Sequence, residues 1–277
     1  MSDPKIGLAL GGGSARGLAH IPMLEVFDEL GLKPSIIAGS SIGALIGAGY
    51  AGGMTAREIR ERAEMLLANR LGAMRYIFGA RKTRLSDLLA LRGLASLHVQ
   101  GEKLVDLALP DHLPVNIEDM PITFKVVTTN YDLMTEHVFE SGPMLRAVAA
   151  SIAIPGVILG PVIDGHIHVD GGITNPLPFD HAREGMDIVI AIDVTGRPRK
   201  PAGKHHSNME LAIGSLLIMF RQVANLKRAI SPPDIYVESL MDFSAGDFFK
   251  LPELLKAAEP AKDQLKRELE KQIMAIA

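Results

Sequence analysis

This 277-residue chain reads as an α/β fold built on a largely parallel central sheet. Short apolar runs such as KIGLAL (5–10), SIIA (35–38) and DIVIAIDV (187–194) have the character of strands covered on both faces. Segments of helical period separate them, and glycine-rich turns stand where strand gives way to helix.

The first strand, 5–10, ends at the glycine cluster 11–13, and a helical pattern follows to about Leu30. Pro22 lies inside that pattern, so the helix proper is expected to start near Ile21 or to be kinked in its first turns. Gly31 suits the C-cap. The second strand, 35–38, leads through a glycine–serine turn into a helix of small residues ending near Ala51. Thr55 and Glu58 have capping-box spacing and open a helix to about Asn69. Short helices separated by Gly93, Gly101, Pro110 and Pro114 fill 70–120. ITFKVVTT (122–129) reads as a strand with 136–139 as its hairpin partner, and 143–150 as a helix entered through Pro143. Asp164-Gly165 between PVI and HIHVD signals another hairpin. After the strand at 187–194 come a basic loop (196–208), a long apolar helix (208–230), a strand at 234–239 and a charged C-terminal helix interrupted at Pro260.

Composition narrows the function. With 29 Lys and Arg against 32 Asp and Glu, the net charge of −3 argues against a nucleic-acid binder. The absence of cysteine removes disulfide and thiolate chemistry and fits a reducing compartment. The N-terminal apolar run is only about five residues and is cut by glycines, a poor signal peptide. Residues 36–54 carry no charge and approach the ~20 residues of a membrane span. Their small residues and serines fit a buried strand and helix better. The expectation is one domain over 1–277, with 196–277 a C-terminal helical extension, in a cytoplasmic protein that touches the inner membrane surface only peripherally.

Gly39-Ser40-Ser41-Ile42-Gly43 is a G-x-S-x-G pattern between a strand and a helix. In such an elbow the central residue is lifted from the sheet on a strained backbone, and glycines two positions away let strand and helix approach. Ser41 is central and is the candidate nucleophile, while flanking Ser40 is expected to satisfy a backbone group. A helix starting at Ile42 directs backbone N–H groups and a positive dipole end toward the reacting oxygen. The pentapeptide alone fits an ordinary βα turn equally well.

Gly11-Gly12-Gly13-Ser14-Ala15-Arg16-Gly17 also lies between strand and helix, where bare amides make an anion site. A strict G-x-G-x-x-G does not fit, no acidic residue follows the second strand, and no Gly-Lys-Ser/Thr is present, so a nucleotide loop is disfavoured. An oxyanion hole fits better, because adjacent parallel strands would bring this loop and the serine turn to one sheet edge. Asp170-Gly171-Gly172 follows the second hairpin; by itself it reads as a structural turn as readily as a base. His166, His168 and Asp170 would share a strand face and suit a metal, yet fit a half-exposed hairpin better. His20 is read as a packing residue and His205 and His206 as solvated. No histidine presents itself as the partner a serine triad would need.

Together the blocks GGGSARGLAH (11–20), GSSIGA (39–44), AASIAIPG (149–156) and DGGITNPLP (170–178) resemble the patatin-like phospholipase family, in particular its bacterial neuropathy-target-esterase-like branch. The resemblance covers the first two thirds of the chain. It implies a three-layer α/β/α sandwich and a Ser–Asp dyad, with Ser41 as nucleophile and Asp170 as general base. It further implies an oxyanion hole from the amides of Gly12, Gly13 and Ser14, with Ile42 at the helix start and Arg16 in support. Gly39, Gly43, Gly171 and Gly172 would be motif glycines. The implied activity is hydrolysis of acyl esters of phospholipids or lysophospholipids, with no metal or other cofactor and only transient membrane contact. Two departures are Ser14 and Pro22, where many members have glycine; serine at 14 carries a cost if that position needs φ > 0. The helix at 208–230 either packs on the sheet or turns one side to the membrane, with Arg197, Arg199, Lys200 and Lys204 before it poised for lipid phosphates. The alternative in another functional class is a non-catalytic lipid-binding or regulatory protein on the same fold.

Overall fold

The computed structural model describes residues 4–68, 99–196 and 208–276. In chain order the elements are β1 (Ile6–Leu10), a 3-10 turn (Ser14–Ala19), α1 (His20–Leu30), β2 (Ile36–Ser40), α2 (Ile42–Ala51) and α3 (Ala56–Ala68). Then come β3 (Val99–Gln100), α4 (Gly101–Ala108), β4 (Thr123–Asn130), β5 (Thr135–Phe139), α5 (Met144–Ser151), β6 (Ile158–Leu159), β7 (Val162–Ile163) and β8 (His166–Asp170). The last are β9 (Ile188–Asp193), α6 (Asn208–Ile230), β10 (Ile235–Glu238) and α7 (Leu251–Ile276). The basic loop with Arg197, Arg199, Lys200, Lys204, His205 and His206, and the whole of 69–98, lie outside the described residues.

An eight-stranded sheet in the order β10-β9-β1-β2-β4-β8-β7, with β5 also on β4, forms the middle layer. Strands β10, β9, β1, β2 and β4 are mutually parallel, and β5, β8 and β7 are added antiparallel. Alternation along β1 divides the two faces. Ile6, Leu8 and Leu10 enter a large core shared with α1, α2, α5 and α7. Ala9, with Ala38, Val189 and Ala191, meets the segment around Leu177, Phe179 and Ala182, together with Ala224 of α6. Small residues on this second face let the covering chain come close; a Cβ at Gly7 would stand 1.8 Å from the Ala182 carbonyl oxygen.

Local signals held where they were chemical. Thr55 and Glu58 form the reciprocal cap, with Thr55 N–H donating to Glu58 Oε2 at 2.8 Å and Glu58 N–H to Thr55 Oγ1 at 3.2 Å. Pro22 sits in the first turn of α1, where a missing N–H costs nothing. Gly31 takes φ 65° as the C-cap. Residues 36–54 are β2 and a buried α2, and no helix among the described residues is long and apolar enough to cross a membrane.

One expectation is overturned. Pro260 does not interrupt the last helix: α7 runs unbroken from Leu251 to Ile276. The carbonyl that Pro260 leaves without a helical partner belongs to exposed Lys256, on the solvent side, while Leu254, Leu255, Ala258, Ala261, Leu265 and Leu269 hold the opposite face in the core. Together α7 and β10 join the same sheet and core as the N-terminal elements. Helix α6 packs inward through Leu217, Phe220 and Ala224 and exposes Leu211, Ile218, Met219 and Leu226.

Candidate active site

Ser41 follows β2 directly and stands at the N-terminus of α2 with φ 55° and ψ −128°, a region that side chains rarely occupy. The flanking glycines are required by contact. A Cβ at Gly39 would lie 2.6 Å from Ala44 Cα, and one at Gly43 2.1 Å from the Leu10 carbonyl oxygen. The turn is therefore a tight βα elbow that lifts Ser41 off the sheet.

Ser41 Oγ donates to Asp170 Oδ2 at 2.6 Å, across 129 residues of sequence. Strand register explains the meeting. On one edge of β4, pairing with β2 stops at Ser40↔Val127, and pairing with β8 begins at Thr128↔Asp170. The other edge of β4 is held by β5, so β2 and β8 succeed each other along the same edge. The residue leaving β2 and the residue ending β8 are thereby neighbours. Asp170 is then fixed on every side. Its Oδ1 accepts from Gly172 N–H at 2.8 Å, its own N–H donates to Ala153 O at 3.0 Å, and Thr129 Oγ1 donates to its carbonyl at 3.0 Å. It is fully buried, and burial lifts its carboxyl from the usual 3.8 to about 7, against the lowering effect of the Ser41 and Gly172 hydrogen bonds.

Gly171 and Gly172 are also enforced by approach. A Cβ at Gly171 would stand 2.1 Å from the Val127 carbonyl oxygen, and one at Gly172 2.2 Å from the Phe220 ring of α6. Ser151, at the end of α5, is a residue the sequence reading did not single out. Its Oγ donates to Val127 O at 2.6 Å and accepts the Ser41 N–H at 2.9 Å, so it satisfies the strained elbow from behind. The signal was there: a lone hydroxyl in the apolar run AASIAIPG. Ser40, expected to serve a backbone group, instead has a buried Oγ without a hydrogen-bond partner among the described residues.

The glycine loop lies against the elbow: a Cβ at Gly12 would be 3.2 Å from Ser41 Cβ. The Gly12 amide, however, is spent on Pro176 O at 2.9 Å, so Gly12 is not an oxyanion donor; its part is to let the backbone pass close to the serine. The amides of Gly13, Ser14 and Ile42 have no partner among the described residues. Gly13 is extended, and a Cβ there would strike the Val194 carbonyl oxygen at 2.3 Å. Ser14 does take φ 56°, and its Oγ offsets the strain by donating to Ala245 O at 2.7 Å. The Arg16 side chain turns into the protein, reaching Phe243 O at 3.3 Å beside Gly196; burial lowers it to about 10, opposed by Asp193. Arg16 therefore supports the site by bracing the loop. His20 is buried, lowered to about 4 by desolvation, and donates from Nε2 to Gly11 O at 2.8 Å.

Among the described residues, no histidine forms a metal cluster with Asp170. His168 Nδ1 pairs with Thr128 Oγ1 at 3.0 Å, and burial lowers its affinity for a proton. Elsewhere, Glu136, Asp180 and His181 bring three ligand-type atoms within 4.8 Å. Lys227 already holds Asp180 at 2.7 Å, and His181 Nε2 is 2.5 Å from Glu136 Oε1, so the ligand-type atoms are already engaged with one another and with Lys227.

Beside Ser41 and Ser14 opens a cavity of about 380 Å³. Its wall is almost entirely aliphatic and aromatic, from α2, α3, α4, the residues after α5, and Phe248 and Phe249. Arg62 reaches the wall with its charge engaged by the carbonyls of Leu107, Ala108 and Leu109 at the end of α4. An activated hydroxyl, a carboxylate titrating near neutrality, free amides and an apolar cavity are together what acyl transfer on a long-chain ester requires.

Comparison with known proteins bears on family and fold. The pattern of the family described as Patatin-like phospholipase matches residues 8–183. An uncharacterized NTE family protein of Mycobacterium tuberculosis is 34% identical over 209 residues, 75% of this chain and 54% of that protein. The lysophospholipase nte1 of Aspergillus fumigatus is 31% identical over 191 residues, 68% of this chain and 12% of that protein. The chain thus spans about half the length of its mycobacterial relatives. Among solved structures, VipD from Legionella pneumophila superposes on 98% of this chain and 67% of its own with a TM-score of 0.52 at 14% identity, a likeness of fold.

Proposed function

The chain belongs to the patatin-like phospholipase family, and on that footing we propose that it is a serine acyl hydrolase acting on carboxylic esters of phospholipids or lysophospholipids through Ser41 and Asp170. The observation that carries this reading is the 2.6 Å contact from Ser41 Oγ to Asp170 Oδ2, with Ser41 in the wall of the apolar cavity.

Asp170 accepts the Ser41 proton as Oγ attacks the ester carbonyl. The oxyanion is met by the amides of Gly13, Ser14 and Ile42, at the positive end of α2. The tetrahedral intermediate collapses, the ester C–O bond breaks, and the alcohol leaves with the proton held by Asp170. Water then gives a proton back to Asp170 and attacks the acyl-enzyme, and the fatty acid departs as Ser41 recovers its hydrogen. A base titrating near 7 rather than 3.8 holds that proton more firmly while still about half ionised at neutral pH, which is what general-base work needs. The residues supply the whole proton path, so no cofactor enters the scheme. Lipid is met transiently at a membrane surface, and the basic loop before α6, outside the described residues, is the candidate contact.

The test is labelling by a fluorophosphonate ester on wild type and Ser41→Ala, read by intact mass alongside ester hydrolysis. Adduct and turnover in wild type alone are expected. A folded wild type that takes no adduct and hydrolyses no ester would return the non-catalytic lipid-binding reading to the front.

A further inference from the structure

The segment between β10 and α7 lies outside residues 8–183, which carry the family pattern, yet it is tied to the glycine loop. Three successive loop residues bond to it. Ser14 Oγ donates to Ala245 O at 2.7 Å, Ala15 N–H donates to the same oxygen at 3.2 Å, and Arg16 Nη1 donates to Phe243 O at 3.3 Å. The segment is itself held. Met241 is buried in the main core, with Phe243 and Phe248 packed against that core. Ser244 N–H donates to Asp247 Oδ2 at 2.8 Å and Asp247 N–H to Ser244 O at 3.1 Å, which closes the entry to a short 3-10 helix, Asp247–Lys250. That helix sets Phe248 and Phe249 in the cavity wall, where Ser14 and Ser41 also stand.

The ties matter because of what lies between them. Gly12 N–H is fixed on Pro176 O at 2.9 Å, and Ala15 N–H on Ala245 O. The two amides between these anchors, of Gly13 and Ser14, are left to meet an oxyanion. Such donors act only if they are already in place as charge develops, and a displacement of about 1 Å can cost roughly 10²-fold in rate. Ser14 stands at φ 56°, where glycine would be at ease and serine is strained. What serine adds is its hydroxyl, and with it a second bond to Ala245 O beside the backbone bond from residue 15.

We propose that Ser14 is a positioning residue: its bond to Ala245 makes the segment 243–249 a brace for the oxyanion amides of Gly13 and Ser14. This rests on the acyl-hydrolase reading and adds to it a part of the site contributed from beyond the family pattern. Phe248 and Phe249 belong to the same short segment, so the wall beside the nucleophile and the loop that meets the oxyanion share one support. The bonds that the brace steadies are made in the transition state, so its loss falls on kcat rather than KM.

The experiment compares wild type, Ser14→Gly, Asp247→Ala, Asp247→Asn and the Ser14→Gly/Asp247→Ala double variant on p-nitrophenyl butyrate. Amide hydrogen exchange over residues 11–18 is measured on the same proteins. Ser14→Gly relieves strain as it removes the hydroxyl and keeps the Ala15 bond, so it should fold. It should lower kcat roughly ten-fold with KM held within about two-fold, and exchange at 11–18 should quicken. Asp247→Ala, which releases the Ser244 N–H, should do the same, and Asp247→Asn, which can still accept that N–H, should restore most of the loss. The double variant should stay within about two-fold of the slower single one, because both substitutions release one brace. Unchanged kcat in both single variants, a change in KM alone, or losses that multiply in the double variant would overturn the proposal and leave the hydrolase reading intact. A wild type that hydrolyses no ester, yet whose loop exchange quickens in Ser14→Gly and Asp247→Ala, would sink the hydrolase reading and keep the brace; without that quickening both fall. Ser14→Gly and its exchange carry the test if Asp247→Ala does not fold.

Discussion

Asp170→Asn should make the protein more stable and nearly inactive. In the unfolded chain an aspartate titrates near 3.8, and in the folded protein burial lifts Asp170 to about 7. A folded pKa above the unfolded one means that the protonated carboxyl favours folding and the charged one opposes it. The favourable contribution is complete below pH 3.8 and is lost as pH rises to about 7. A rise from 3.8 to about 7 corresponds to about 4 kcal/mol of opposed stability above neutrality. Asparagine keeps the shape, can accept from Gly172 N–H and can donate to Ser41 Oγ, but carries no charge at any pH. The stability gap between variant and wild type should therefore widen by roughly 2–3 kcal/mol between pH 5 and 8.5, leaving the variant several degrees higher in Tm at the alkaline end. Over the same range wild-type kcat/KM should rise through an apparent pKa near 7, and the variant should fall by roughly 10²–10⁴ in turnover. Thermal melts across the pH range, with ester hydrolysis on the same samples, read both. Parallel melting curves would refute the burial argument, and wild-type turnover in the variant would end the dyad.

Further predictions concern how the elbow is held. Ser41→Gly should be more stable than Ser41→Ala by about 1 kcal/mol, because only glycine is at ease at φ 55° and ψ −128°; equal denaturation midpoints would mean that the elbow stores no strain. Ser151→Ala should cost about 1–3 kcal/mol by stranding the buried Ser41 N–H, and should lower kcat. Denaturant unfolding and turnover both unchanged would remove Ser151 from the account. Gly172→Ala should be strongly destabilising, and Phe220→Ala in the same protein should recover part of that loss, since the new Cβ meets the Phe220 ring; strict additivity in a double-mutant cycle would show that this contact is not the cause.

Much of this site was legible because its rules are local. The spacing of Gly39, Ser41 and Gly43 states a backbone crossing that only glycine allows, and the Asp164-Gly165 turn between β7 and β8 announces the hairpin that delivers Asp170. What the sequence could not state is register. That β8 takes over the edge of β4 where β2 leaves it is a relation between residues far apart in the chain, and apolar periodicity is silent on it. The same blindness hid Ser151 and the Pro176 carbonyl that occupies the Gly12 amide. Pro260 misled for a different reason: a proline penalty on an exposed face is outweighed by a buried face at helical spacing.

The position of β1 has a consequence for how the chain is made. Its glycine loop belongs to the site, and the strand is paired on one edge by β2 and on the other by β9. Those partners emerge from the ribosome at very different times: β2 follows within one helix, whereas β9 begins 178 residues after β1 ends (188 − 10). At 5–20 residues per second, one edge of an apolar strand stands open for roughly 10–40 s. A nascent chain halted after residue 183, where the family pattern ends, would hold Ser41, Asp170 and the glycine loop, yet still present that edge to any strand nearby. Stalled synthesis should therefore yield aggregates carrying every reactive group, and chaperone dependence should fall away only once the Ile188–Asp193 strand has been delivered.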